Sequence, residues 1–287
     1  MDNVKPYRSS DDLIELLRKR GCVIQDEDFA KRVFSHVGYY RLLGYLLPFK
    51  IDEECYVPGT TIERVHAIHT FDGALRALIF SVLGYIEISL SSQIAECHAQ
   101  AYGPLGYMEP SRFKNKKMIK WHDAIADCLK QNAKHPVMKH HQSKNIPIWV
   151  ATMFMPFGMV SKLYADLLSS EQKRIARSFD LIPRVLESWL HCCVELRNIC
   201  AHHGRLYGRR LQWPDVPKNW QDLSGFVVSE ADKGYLFLLI AIMKHLFPAC
   251  YHWESIFKVP LVNLMAQFRK YVDLEHIRFP ENWEALL

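Results

Sequence analysis

Residues 71–94 read FDGALRALIFSVLGYIEISLSSQI, and the fold follows from their rhythm. Leu75, Leu78, Ile79, Val82, Ile86, Leu90 and Ile94 recur at spacings of three and four, which places them on one face of an α-helix. So continuous a stripe must be covered by other elements, and the spacing predicts a central beam. Thr60-Thr-Ile-Glu63 supplies a capping-box pattern ahead of it and Tyr102-Gly-Pro ends it. Asp72 and Arg76, at i and i+4, are expected to pair on its surface.

Working outward, the same helical rhythm returns on both sides. Ser9-Ser-Asp-Asp12 caps a first helix that Gly21 stops, and Asp26-Glu-Asp28 opens a second. Residues 37–49, rich in tyrosine and leucine, suit a buried, partly helical element ended by Pro48. Helical patterns follow near 117–132, with Trp121, Ile125 and Leu129, and at 160–168 and 171–179, after an apolar stretch from Trp149 to Phe157 that ends in Pro156-Phe-Gly158. Residues 133–147 between them are basic and polar, a solvated connection or an RNA-facing segment. Beyond 215 come a polar stretch to Glu230, an apolar helix from Tyr235 to Phe247 and a last segment from Val259 to Phe268. No strand alternation, internal repeat or low-complexity tract interrupts this order. The chain is therefore predicted to be all-α: a multi-helix bundle with long central helices and additional N- and C-terminal helices. Residues 1–215 are expected to form the main helical domain, with 216–287 a C-terminal extension packed on it.

Bulk properties set bounds. Of 287 residues, 49% are hydrophobic and 23% charged, which excludes extended disorder. The net charge of +5 permits contact with nucleic acid without demanding it. Basic clusters occur at Lys114-Asn-Lys-Lys117, Lys139-His-His141 and Arg205 to Arg210. The eight cysteines include no Cys-x-x-Cys pair and read as reduced thiols of a cytoplasmic protein. No secretory signal is expected at the start of the chain. The apolar runs at 74–90 and 234–247 are broken by Arg76 and Glu87, and by Lys244, so no membrane span is expected.

Chemistry concentrates at residues 190–210. Asp180 is expected to cap the helix before it, with Pro183 in its first turn. Ile182, Val185, Leu186, Trp189, Cys193, Leu196 and Cys200 fall on one stripe, and Arg184, Glu187, His191, Glu195, Asn198 and His202 on the opposite face. His202 sits in the last turn, where the helix dipole favours positive charge, and Gly204 supplies the stop. Arg197 lies about 140° around the helix from His202. The two can converge only through the long arginine side chain, a bend at the helix end or a second protomer.

Arg197-Asn-Ile-Cys-Ala-His202 resembles the R-N-x-x-x-H form of the motif of HEPN-superfamily helical ribonucleases. Extended through His203-Gly-Arg205-Leu-Tyr, it is similar to the Abi-like (abortive infection) family of bacterial phage-defence proteins. Companion stretches agree: Tyr40 to Phe49, Phe71-Asp-Gly-Ala-Leu-Arg76, Ile86 to Leu90, Trp149 and Phe157-Gly158. The resemblance covers about residues 10–215 and implies a HEPN-like bundle and a metal-independent endoribonuclease that needs no cofactor. It implies that Arg197 stabilises the scissile phosphate, that His202 moves protons and that Asn198 orients either group. It further implies a homodimer that completes the site, and a dormant toxin restrained by an antitoxin-like inhibitor or a regulatory RNA. The chemistry agrees: Arg offers permanent planar donors to a phosphate gaining charge, and imidazole transfers protons near neutral pH. Glu195 on the same face could hold the imidazole. His203, Arg205, Arg209 and Arg210 are expected to follow RNA phosphates.

Two rival readings exist. A zinc site from Cys192, Cys193, Cys200, His202 and His203 fits poorly with usual ligand spacings, and Cys193 and Cys200 belong to the apolar stripe. The other rival is a scaffold of the same fold that binds RNA or a partner without cutting.

Overall fold

Local signals set most of the helices. In a computed structural model, which describes residues 6–114, 119–141, 145–217, 220 and 234–287, Ser9 caps α1 (Ser10–Lys19) through a capping box with Asp12. Asp26 caps α2 (Glu27–His36), and α3 (Tyr39–Leu46) runs on through Pro48 into a single 3-10 turn (Leu47–Phe49). The described residues hold thirteen α-helices and no strand, only three isolated bridges, and the fold is all-α.

The beam is α4 (Ile62–Tyr102), 41 residues long and closed by Gly103 in the left-handed region at φ 77°. Leu75, Ile79, Val82, Ile86, Leu90 and Ile94 are buried, and Leu78 is half-buried. Its cap differs from the sequence expectation. Thr61, not Thr60, accepts the Arg64 N–H, while Glu63 reaches across to the backbone N–H groups of Gln25 and Asp26. The larger correction concerns Asp72 and Arg76, which pair as expected but in the interior, 0% and 8% exposed. The helical phase explains this: position 72 precedes Leu75 by three and Ile79 by seven, so it lies on the stripe.

Around the beam pack α3, α7 (Ile148–Phe154), α8 (Phe157–Asp166), α9 (Ser169–Arg177) and α10 (Pro183–Ala201). By length and composition α4 suffices to cross a bilayer, with mean hydropathy 1.5 in its most apolar stretch; here its stripe is covered by these neighbours. The helices α11 (Leu236–Leu246) and α12 (Val259–Phe268) also lie against α4. The basic segment after α5 (Ile119–Gln131) contains a short helix, α6 (Pro136–His140), anchored by buried Met138. Last comes α13 (Trp283–Leu286). Residues 1–5, Asn115 to Lys117 of the first basic cluster and most of the polar stretch to Glu230 lie outside the described residues, as does the Trp121 side chain.

In α10, Val185, Leu186, Trp189, Cys193, Leu196 and Cys200 are buried, joined by Leu190, Cys192 and Ile199, so the apolar face is wider than the stripe. Ile182, counted in that stripe, is instead the N-cap residue and 64% exposed. Asp180 does not cap α10. It takes a left-handed φ of 53° and closes α9, with Leu181 N–H bonded to the Ala176 carbonyl.

Candidate functional site

The end of α10 is a Schellman turn made by an unexpected residue. Gly204 N–H bonds the Ile199 carbonyl at 2.8 Å and His203 N–H bonds that of Cys200 at 3.2 Å. The left-handed position belongs to His203, at φ 55°, rather than to Gly204. Gly204 serves close approach instead: a Cβ there would stand 3.0 Å from Ile199 Cγ2 and 3.2 Å from its carbonyl oxygen. His202 is the C-cap residue and exposed, as are Asn198 and His203.

This turn is tied to α3 and α4 by a buried polar cluster. Asp72 accepts the Leu206 N–H at 3.2 Å, the Tyr207 N–H at 2.8 Å and the Tyr45 hydroxyl at 2.7 Å, besides its pairing with Arg76. Arg76 also donates to the Gly204 carbonyl at 3.2 Å, and Arg41 donates to the His203 carbonyl at 2.8 Å. Burial pushes the Asp72 carboxyl above its ordinary range, against the pull of Tyr45, Arg76 and the two amides. His69 stands edge-on to Tyr45, and burial, with help from Arg76, His66 and Arg41, drives it down to about 4. Tyr207, fixed by these amides, hydrogen-bonds His276 at 2.9 Å, and burial pushes its phenol up to about 12.

Arg197 is held separately. Its Nε lies 3.9 Å from Glu87 Oε2, its guanidinium stands 5.7 Å from the Phe80 ring, and its Nη1 reaches Asn198 Oδ1 at 3.5 Å. Burial raises the Glu87 carboxyl against the pull of Arg197 and of the Phe157 backbone at the start of α8. Among the described residues no hydrogen bond or ion pair joins Arg197 to His202. Thus Arg41, Tyr45, Asp72 and Arg76 meet residues 203–207 beyond the end of α10, whereas Glu87 and Phe80, further along α4, hold Arg197.

The sequence profile of the Abi-like protein family matches residues 32–208. The chain belongs to the Abi-like family. No curated protein and no solved structure matches it. The matched span holds every member of the polar cluster named above except His276.

In this Abi-like chain, the residues expected to contact phosphate divide. Arg205 is half-buried, its Cδ and Nε 3.2 Å from where a Cβ on Gly44 would lie, and its guanidinium donates to the Tyr207 carbonyl. Burial lowers its pKa, and its setting is that of a packing residue that needs Gly44 opposite. Arg210 is exposed and stands over Trp213 and Tyr235, and Arg209 is half-buried beside it. Glu195, expected to hold an imidazole, accepts the Gln212 N–H at 3.2 Å. It helps stitch residues 211–215 back along α10, where Asp215 meets Ser188, Trp189 and Arg184. Cys192, Cys193 and Cys200 are buried, and burial raises all three thiols, while His202 and His203 face solvent. They do not face a common point.

Sequence reading gave no role to Arg41, Tyr45 or Glu87, and it placed the Asp72–Arg76 pair on the surface. The signal for Asp72 and Arg76 was present, since two opposite charges occupy the phase of an apolar stripe.

Proposed function

We propose that this Abi-like protein is a metal-independent endoribonuclease of the HEPN type, acting in the bacterial cytoplasm as a dormant abortive-infection toxin. The observation that carries the reading is the end of α10. There Asn198 and His202 are exposed beside Arg197, which is half-buried against Glu87 and Phe80, and a buried cluster built from distant parts of the chain fixes the turn that follows them. In this reaction the 2'-hydroxyl attacks phosphorus, the 5'-oxygen leaves, and a cyclic phosphate and a 5'-hydroxyl result. Arg197 stabilises the charge gained by the phosphate, and Asn198 orients the guanidinium it already touches. His202 takes the proton of the 2'-hydroxyl or supplies one to the leaving oxygen. A second protomer of a homodimer completes the pair, and an antitoxin-like inhibitor or a regulatory RNA restrains it. His203 and Arg210 contact phosphates beside the cut.

The test is incubation of RNA in EDTA with wild type, Arg197→Ala and His202→Ala. Cutting by wild type alone supports the reading. Intact RNA with dimeric, inhibitor-free wild type sinks it, as does equal cutting by both variants. A second reading is favoured by one observation, the engagement of Arg197 with Glu87 and Phe80. An arginine so held suits a scaffold that binds RNA or a partner, and binding without cutting by all three proteins would support that.

A further inference from the structure

Beyond Glu87, α4 and α7 leave an open groove of about 800 Å³ between them. Ile88, Trp149 and Met153 line it while 65%, 51% and 62% exposed, together with buried Met155. Single exposed apolar side chains are ordinary, but three lining one groove mark a binding surface. Along α4 the lining runs from residue 84 to residue 100, about 24 Å at ~1.5 Å per residue, the length of four helical turns. A Cβ on Gly84 would meet nothing within 4 Å, so that end is open. Among the described lining residues, the charged ones are Glu87 and Glu96, and none is basic. Glu87 already faces Arg197, so Glu96 is the carboxylate that gives this groove its local negative charge on a chain of net charge +5.

We propose that the groove docks a basic amphipathic helix of a partner protein, its apolar side chains against Ile88, Trp149 and Met153 and its cations toward Glu87 and Glu96. Length, apolar walls and charge all select this occupant, and thioether and indole walls adapt to a helical ridge. Docking also reaches the motif. Glu87 is the counter-charge of Arg197, whose Nε is buried and, among the described residues, has no hydrogen-bond partner at 3.9 Å from that carboxylate. A partner cation that takes Glu87 releases the guanidinium, so occupancy of the groove sets the freedom of Arg197. The consequence for RNA rests on the ribonuclease reading; the docking does not.

The experiment uses the full chain and a labelled 16-residue peptide of leucines at helical spacing with lysines between, beside a counterpart with glutamates in place of the lysines. Fluorescence anisotropy at physiological salt is expected to show the lysine peptide binding about tenfold tighter than its counterpart, despite the protein's positive charge. Met153→Ser and Glu96→Lys, both at exposed positions, are expected to weaken it about fivefold each with unchanged circular dichroism. The Arg197 Nε–H NMR signal is expected to move on peptide addition in wild type and to stay in Glu87→Gln. Equal binding of the two peptides, wild-type binding by the variants, or no binding at about 100 µM overturns the proposal. Self-association of the protein that Met153→Ser abolishes also overturns it, and assigns the groove to a second copy. Peptide binding is read without RNA, so its failure and a failure to cut RNA in EDTA are separate results.

Discussion

The Asp72 carboxylate accepts the backbone N–H of Tyr207 at 2.8 Å, joining the first third of the central helix to the loop that follows the motif, 135 residues later. Through Arg76 and Arg41, the same cluster holds the carbonyls of Gly204 and His203. The direction of the α10 terminus is thus set by buried charge rather than by the helix that carries it. Removal of one member leaves its partner charged in the interior, so Asp72→Ala is expected to destabilise by about 3–5 kcal/mol in urea unfolding. The pair Asp72→Leu and Arg76→Met is expected to be less destabilising than the sum of the singles. Additive losses would mean that the two do not act as a unit.

The two residues after His202 make opposite predictions. His203 holds a left-handed φ that costs a non-glycine residue about 1–2 kcal/mol, partly offset by the greater freedom of an unfolded glycine. His203→Gly is therefore expected to leave thermal stability unchanged or slightly raised. Gly204→Ala puts a methyl 3.0 Å from Ile199 Cγ2 and is expected to destabilise by about 1 kcal/mol or more. If calorimetry ranked the two variants the other way, the Schellman turn would be misassigned.

Acid lability should trace partly to His69. Its folded pKa, about 4, lies below the ordinary value of 6.5, so between these limits the unfolded chain binds more protons. Its contribution to stability is complete above pH 6.5 and is lost as pH falls from there toward 4. Burial of Asp72 acts in the opposite sense over part of the same range, because its raised carboxyl binds protons in the folded state. A comparison of His69→Gln with wild type isolates the histidine, Asp72 being present in both. Melting temperatures of the variant are expected to fall less steeply over this window, and parallel curves would exclude His69.

The beam and the motif helix were legible because their apolar residues repeat with the helical period, with Pro183 opening the motif helix and the capping residues Ser9 and Asp26 marking the starts of α1 and α2. The buried cluster was not, although its residues lay in the quoted companion stretches. An i, i+4 acid–base pair on a helix ordinarily faces water, and only the phase of Asp72 against Leu75 and Ile79 says otherwise. The left-handed turns at Asp180 and His203 escaped for a different reason. Asp and His enter that region more readily than most side chains but far less readily than glycine, so glycine is the expected choice, and tertiary hydrogen bonds override the local preference. Glu195 shows a third kind of limit: helical phase placed it on the polar face, but its partner, Gln212, comes from a loop with no periodicity to read.

The arginines after the motif now separate by burial. Arg205 packs over Gly44 and bonds the Tyr207 carbonyl, whereas Arg210 is exposed above Trp213 and Tyr235. Counterion release makes the logarithm of RNA affinity fall with that of salt by a slope of about 0.7 per phosphate neutralised on a single strand. If the chain binds RNA at this end, Arg210→Ala is expected to reduce that slope by nearly one contact while leaving the melting temperature unchanged. Arg205→Ala is expected to do the reverse, lowering the melting temperature through lost packing with little change in slope. Salt titrations of RNA binding beside thermal melts distinguish the two, and a slope change confined to Arg205→Ala would restore it as the phosphate ligand. Gly44→Ala offers a check that needs no RNA, since the added methyl meets the Arg205 side chain and should destabilise wild type but not Arg205→Ala.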